Sequence, residues 1–160
     1  MHYMKKVIWI IFLSLFAFRL KAQVIRQLPQ FRLLKNDSTF ITQANLKTNT
    51  KTMVVVFGTD CIHCQLYTKE LLKHTDELSK IQVLMITWSQ LKSIQAFVKE
   101  YGLDKHPNFI VATEGPSANL YRLFQVKTTP YTAIYDKNRL LVKVYDKSPI
   151  IDSLLSVVKQ

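Results

Sequence analysis

The 160-residue sequence predicts an α/β domain with a central mixed β-sheet flanked by helices. Two apolar runs rich in β-branched residues, 52–58 and 81–88, lack polar alternation, which indicates strands that are buried on both faces. The segment between them, 61–80, is rich in helix formers. A strand opened by proline and a second strand after a turn, within 130–145, predict an antiparallel hairpin near the C-terminus.

The N-terminal part of the domain predicts a second β-hairpin. In the stretch FRLLKNDSTFIT (31–42), the turn formers Asn36 and Asp37 separate two short apolar runs. The polar segment 43–51 then connects this hairpin to the first buried strand. We therefore expect the sheet to carry an N-terminal β-hairpin extension.

The helices are predicted from their caps and apolar spacing. Asp60 or Thr59 is placed to cap the first helix, and Ser89 to cap the second, which Gly102 ends. Ser148, followed by proline, predicts the start of the last helix. The apolar face of the first helix is predicted to comprise Ile62, Leu66, Leu71, Thr75 and Leu78. The resulting order, βαβα and then αββα, favours parallel strands with helices on both faces.

The first 22 residues have the pattern of a signal peptide. A basic head is followed by the uncharged run 7–18, which is shorter than the roughly 20 residues of a membrane span. Ala22 is the small residue before a predicted cleavage point at Gln23. We therefore expect an exported domain at 23–160, either periplasmic or, if residues 1–22 are not cleaved, anchored in the membrane and facing the periplasm.

The positive charge does not indicate nucleic-acid binding. The formal net charge is +11, and the segment 23–160 carries 18 basic and 11 acidic residues. The basic residues are scattered singly, without a cluster interleaved with aromatics. This pattern favours a solvated basic surface over a nucleic-acid interface.

Cys61 and Cys64 are the only cysteines, in the motif CIHC. A structural zinc site needs four ligands, and one CxxC pair does not supply them. Haem attachment requires CxxCH, but residue 65 is glutamine. A peroxide-reducing site of the type TxxC would require threonine at position 58, whereas Thr59 lies one residue too close. The sequence therefore predicts neither a metal site nor a cofactor.

A redox pair and a structural disulfide are the two further interpretations of Cys61 and Cys64. A CxxC loop is so short that its disulfide stabilises the fold little. Cys61 follows a buried strand and begins a helix, where unpaired N–H groups favour a thiolate. Cys64 lies one turn further along, within reach of the first sulfur. These features favour a Cys61–Cys64 dithiol/disulfide couple.

Two neighbouring residues are predicted to tune this couple. A cationic His63 would favour the Cys61 thiolate and make the disulfide more oxidising. Asp60 would disfavour a second negative charge beside it. The alternatives are an exposed, solvated imidazole at His63 and a simple helix cap at Asp60.

The strand–CxxC–helix order, the N-terminal hairpin and the stretch VKTTPYTAIYDKNRLLVKVY (126–145) resemble the thioredoxin-like superfamily, within it the exported TlpA/ResA-like thiol–disulfide oxidoreductases. The resemblance covers about residues 28–159. It implies a thioredoxin-like fold, a cis peptide bond between Thr129 and Pro130, and a substrate groove formed by these two residues.

The same resemblance implies an activity. Cys61 would attack a protein disulfide, Cys64 would resolve the mixed disulfide, and no cofactor would be needed. Redox equivalents would come from another exported or membrane protein. The resemblance favours a reductant, whereas a histidine between the cysteines favours a more oxidising couple or an isomerase.

The sequence departs from these relatives at three places. Asp60 stands where relatives usually carry a tryptophan, Val55 where thioredoxin itself has a buried acidic residue, and Tyr67 where TlpA/ResA-like proteins often have a glutamate, three residues after the second cysteine. Glu70, one turn beyond Tyr67, is the candidate for proton handling. These departures motivate the alternative hypothesis of a thioredoxin-fold binding or scaffolding module with a vestigial dithiol.

Overall fold

The computed structural model describes residues 27–160, which form a seven-stranded mixed sheet. The spatial order of the strands is β2-β1-β5-β4-β3-β6-β7. The strands are β1 (Arg32–Lys35), β2 (Phe40–Thr42), β3 (Thr52–Val56), β4 (Gln82–Thr87), β5 (Phe109–Thr113), β6 (Tyr131–Tyr135) and β7 (Leu141–Tyr145). The helices are α1 (Ile62–Lys73), α2 (Thr75–Leu78), α3 (Leu91–Tyr101), α4 (Asn119–Leu123) and α5 (Ile151–Lys159).

Strand direction matches the predicted mixed sheet. β3, β4 and β5 are parallel neighbours, whereas β6 pairs antiparallel with both β3 and β7. β1 and β2 form the predicted N-terminal hairpin, and β1 joins the sheet antiparallel to β5. Because β3, β4 and β5 are parallel, the loops that follow them meet at one edge of the sheet.

Two apolar cores lie on opposite faces of the sheet because successive strand residues point to opposite sides. Met53 and Val55 of β3 pack in the core covered by α1, α2, α3 and α5. Val54 and Val56 pack in the second core, which contains Leu33 and Ile41 of the N-terminal hairpin together with residues of α4. The predicted α/β class, with helices on both faces, is confirmed.

The predicted helix caps are partly wrong. α1 is capped by Cys61 rather than by Asp60 or Thr59, and α3 follows Gln90 rather than Ser89. The Ser89 hydroxyl is instead bonded to threonine hydroxyls at the ends of neighbouring strands. The cap of α5 is residue 150 rather than residue 148. Gly102 ends α3 in the left-handed conformation, as predicted (φ 63°).

The predicted apolar face of the first helix is also corrected. The buried residues of α1 are Cys64, Tyr67, Thr68 and Leu71, which follow the i, i+3, i+4, i+7 spacing of one helix face. Ile62 and Leu66 are exposed. Ile62 and Leu71 are nine residues apart, two and a half turns, so they lie on opposite sides of the helix.

The predicted signal segment lies outside the described residues. None of the helices within residues 27–160 combines the length and the apolar character that crossing a bilayer would require.

Candidate active site

Cys61 occupies the junction between the buried strand β3 and helix α1. Its backbone is extended (φ −84°, ψ 112°), so it caps the helix without being part of it. Its sulfur accepts a hydrogen bond from the Cys64 backbone N–H at 3.3 Å. The sulfur therefore takes the place that a serine or aspartate oxygen has in an ordinary N-cap.

The loop before β6 brings a second group of atoms to this sulfur. The peptide bond between Thr129 and Pro130 is cis, as the resemblance implied. The Cys61 thiol lies 3.7 Å from the Thr129 carbonyl oxygen, and the Thr129 hydroxyl donates to the sulfur at 3.6 Å. Residues 68 positions apart are thus brought together at one reactive atom.

These contacts lower the pKa of the Cys61 thiol. Partial burial acts in the opposite direction and raises the pKa, but hydrogen bonds from the Cys64 thiol, the Thr129 hydroxyl and the backbone N–H groups of Cys64 and His63 outweigh it. Each donor stabilises the thiolate more than the neutral thiol. Cys61 is only partly buried, whereas Cys64 is buried.

Cys64 lies in different surroundings. It is buried in the apolar core beneath α1, and burial raises its pKa well above that of a free cysteine. The hydrogen bond to Cys61 adds to this effect, because a Cys64 thiol serves as its donor. Both sulfurs are free thiols in this structure, so the disulfide between them stays a prediction.

A network of hydroxyl groups holds the loop that precedes Cys61. The Thr59 hydroxyl donates to the Ser89 hydroxyl at 3.0 Å, and so does the hydroxyl of Thr87. The Gln65 side-chain amide donates to the Thr59 carbonyl at 3.0 Å. The network joins the ends of β3 and β4 to helix α1, and it directs the Thr59 hydroxyl to Ser89.

The two predicted tuning residues lie beside Cys61, and both are exposed. The Asp60 carboxylate folds back to the turn at Gly58, where its Oδ1 lies 3.3 Å from the position of a Cβ on that glycine. His63 is in the first turn of α1, and its backbone N–H is among the donors to Cys61. Their effects on the redox couple stay predictions.

Glu70, the candidate for proton handling, is not brought to the cysteine pair. Its carboxylate pairs with Lys73 at 2.7 Å and with His74 at 3.6 Å, and the hydrogen bond from Lys73 chiefly lowers its pKa. Glu70 follows Cys64 by one and two-thirds helical turns, so it faces a different side of α1.

A buried pair of hydroxyl groups, Tyr67 and Thr132, lies under the site instead. Their oxygens are 3.2 Å apart, and burial raises the pKa of Tyr67 strongly. Thr132 lies opposite Val55 in the β3–β6 register, so this pair lies beside the position that the resemblance matches to the buried acidic residue of thioredoxin. Sequence analysis missed the pair because it depends on the pairing of β6 with β3.

Within residues 27–160, no group of three or more His, Cys, Asp or Glu side chains is arranged to hold a metal ion.

Fold and site together define a thioredoxin-like protein with a CxxC motif at the start of a helix and a cis-proline facing it. The AhpC/TSA family profile matches residues 24–144, three quarters of the sequence, and the chain belongs to this family. A comparison with curated proteins finds no match.

Solved structures show the same fold. A thiol–disulfide oxidoreductase from Bacteroides fragilis has a TM-score of 0.70 at 14% identity, covering 83% of this chain and 97% of that chain. A secreted Mycobacterium tuberculosis disulfide oxidoreductase homologous to E. coli DsbE has a TM-score of 0.68 at 16% identity, with coverages of 81% and 95%. Copper-bound ScoI from Arabidopsis thaliana has a TM-score of 0.66 at 20% identity, with coverages of 82% and 95%.

Proposed function

We propose that this protein is an exported thiol–disulfide oxidoreductase of the TlpA/ResA-like type, acting on protein disulfides. The observation that carries the proposal is the position of the Cys61 sulfur, which caps α1 and lies 3.7 Å from the carbonyl oxygen of the cis-proline loop. A thiol with a lowered pKa and an exposed approach is suited to nucleophilic attack. Two of the similar structures carry oxidoreductase names, which agrees with this proposal.

The reaction begins when the Cys61 thiolate attacks one sulfur of a substrate disulfide. A mixed disulfide forms, and the other substrate sulfur leaves as a thiolate. Cys64 then gives up its proton and attacks Cys61, which forms the Cys61–Cys64 disulfide and releases the second substrate thiol. Two electrons pass from the protein to its substrate, and the reverse sequence oxidises a substrate dithiol. A second exported or membrane dithiol protein would restore the starting state.

Thr129 and Pro130 are proposed to form the groove in which an extended substrate segment lies. The Thr129 carbonyl faces Cys61, so it is placed to contact a substrate segment as well as the thiol. His63 and Asp60 are proposed to tune the couple in opposite directions, since one side chain can carry a positive charge and the other a negative one.

Trapping with Cys64→Ser tests the proposal. Without the resolving thiol, the mixed disulfide between Cys61 and a partner protein should persist and be recovered from the exported fraction. The matched control Cys61→Ser should recover none. Reduction with dithiothreitol should release the partner, which would then identify the substrate.

The alternative, a binding module with a vestigial dithiol, makes the opposite prediction. In that case Cys61 would titrate near the free-cysteine pKa of about 8.5 and would not exchange with glutathione disulfide. The two results together, in the folded protein, would overturn the enzyme proposal. Mass analysis of the exported protein separately tests cleavage before Gln23, since an uncleaved chain would be a membrane-tethered form.

A further inference from the structure

Trp88 stands beside the cysteine loop although it belongs to a different strand connection. It follows β4, and its ring atom Cζ2 lies 3.8 Å from the position that a Cβ on Gly58 would take. That same position is 3.3 Å from the Cys61 Cβ, so the edge of the indole is within about 7 Å of Cys61. The missing side chain at Gly58 leaves the indole and the cysteine next to each other.

The Trp88 indole has an aromatic neighbour in helix α4. It packs edge-to-face on Tyr121 with the ring centres 5.2 Å apart. The next residue, Ser89, accepts hydrogen bonds from Thr59 and Thr87, and its backbone carbonyl accepts one from Thr113 at 2.7 Å. This network joins the residue after Trp88 to Thr59, in the loop that precedes Cys61.

Exposed apolar surface continues on the helix side of Cys61. The side chains of Ile62 and Leu66 are 59% and 56% exposed and lie one turn apart on α1. Trp88 is 37% exposed on the Gly58 side of the thiol. The reacting sulfur therefore has accessible apolar groups both on its own helix and across the loop from it.

We propose that Trp88 determines substrate specificity by packing against an apolar side chain that flanks the reacting cysteine of a protein disulfide. This inference rests on the proposed function and narrows its substrate class. A substrate must bring its sulfur to Cys61, and successive Cα atoms of its chain are about 3.8 Å apart. The residue one or two positions from the substrate cysteine thus reaches the distance at which the indole lies.

The surroundings also disfavour other flanking residues. A neutral polar or acidic side chain against the indole would lose water without gaining a hydrogen bond. An acidic side chain would in addition meet the Asp60 carboxylate, which lies at the same glycine turn. The occupant that fits is an extended segment with a Leu-like or aromatic side chain next to its cysteine.

A pair of peptide disulfides tests this inference. The two peptides are identical except for the residue beside the cysteine, which is leucine in one and serine in the other. The rate constant for mixed-disulfide formation is measured in the Cys64→Ser background, with Trp88 retained. We expect the leucine peptide to react about tenfold faster, since differences of this size are typical of one apolar contact at a binding site.

Substitutions at Trp88 should change the ratio of the two rate constants. Trp88→Ala should reduce the ratio to within about twofold of unity, and Trp88→Phe should keep most of it because a ring remains. Leu140→Ala is the matched control, since Leu140 is an apolar residue, 49% exposed, in the β6–β7 turn at the opposite end of the sheet. It should leave the ratio unchanged.

A small disulfide without flanking side chains separates the two proposals. If the protein reacts with hydroxyethyl disulfide but shows no preference between the peptides, the role of Trp88 is wrong and the oxidoreductase proposal stands. A preference that survives in Trp88→Ala also overturns the role of Trp88. If the protein reacts with none of the three disulfides, both proposals fail.

Discussion

Cys61 and Cys64 are three residues apart, yet their surroundings differ in almost every respect that controls thiol chemistry. Cys61 is partly exposed and receives hydrogen bonds from the first turn of α1 and from the Thr129 hydroxyl. Cys64 points into the apolar core beneath the same helix. The pKa of the first is lowered and that of the second is raised. One helical turn is enough to separate an attacking thiol from a resolving thiol.

This difference has a structural origin. The first turn of a helix leaves N–H groups free that the capping residue can accept, while Cys64, three positions later, lies on the buried face of α1. In this fold α1 covers a fully buried sheet, so Cys64 must be desolvated. The strand–helix junction therefore contributes to both pKa shifts, and the Thr129 hydroxyl adds to that of Cys61.

Selective alkylation is the strongest test of the difference in reactivity between Cys61 and Cys64. At pH 7, Cys61 in a Cys64→Ser variant should react with iodoacetamide at least about 100-fold faster than Cys64 in a Cys61→Ser variant, because the thiolate is the nucleophile. Single-cysteine variants are needed since the two thiols titrate as a pair. Mass spectrometry of the labelled peptides gives both rates, and similar rates would remove the distinction.

The pH dependence of the alkylation rate shows whether the pKa of each thiol is lowered or raised. The Cys61 rate should rise tenfold per pH unit and level off below the pKa of a free cysteine, about 8.5. The Cys64 rate should still be rising at pH 9, because its pKa is raised. A Cys61 profile that levels off only above pH 9 would contradict the role of the donors around it.

Removing one hydrogen-bond donor to the Cys61 sulfur should reduce the difference between the two thiol pKa values by a smaller amount. Thr129→Val deletes the hydroxyl that donates to the Cys61 sulfur but keeps the shape of the side chain. The pKa of Cys61 should rise, and alkylation at pH 7 should slow about fivefold, the effect of one hydrogen bond of about 1 kcal/mol. Thr129→Ser is the control that retains the donor, and it should stay near the wild-type rate.

Substitutions at Tyr67 test the buried hydroxyl pair that lies beneath α1. Tyr67→Phe leaves the buried Thr132 hydroxyl without its partner, which should lower the free energy of unfolding by about 1–2 kcal/mol. Urea denaturation measures the loss. In the double variant Tyr67→Phe, Thr132→Val the two losses should not add, because both remove the same hydrogen bond. Fully additive losses would show that the two hydroxyl groups are not coupled.

The smallest effect is expected at Glu70. Its carboxylate is paired with Lys73 and His74 on a different side of α1 from Cys64, so Glu70→Gln should change the rate of mixed-disulfide resolution by no more than about twofold. Glu77→Gln, which alters the other acidic partner of His74, is the matched control. A tenfold loss confined to Glu70→Gln would identify it as the proton acceptor for Cys64.

Local patterns were sufficient to predict the reactive centre. A buried β-branched run followed by CxxC and helix formers placed Cys61 at a strand–helix junction, whereas Thr129 and Pro130 were identified through the family resemblance. The helix face was harder to predict, since Ile62 and Leu66 are apolar but exposed. Apolar character alone could not distinguish the core face of α1 from an accessible one.

The sequence by itself determined the α/β class and the CxxC pair, because each depends on residues close together in the chain, whereas the cis bond at Thr129–Pro130 was implied by the family resemblance. Only the tertiary structure decided what surrounds the two sulfurs. The pairing of β6 with β3 brings Thr132 to Tyr67, and the parallel pairing of β3 with β4 brings Trp88 to Gly58 and Cys61. These contacts join residues separated by 27 to 65 positions, which a local pattern does not record.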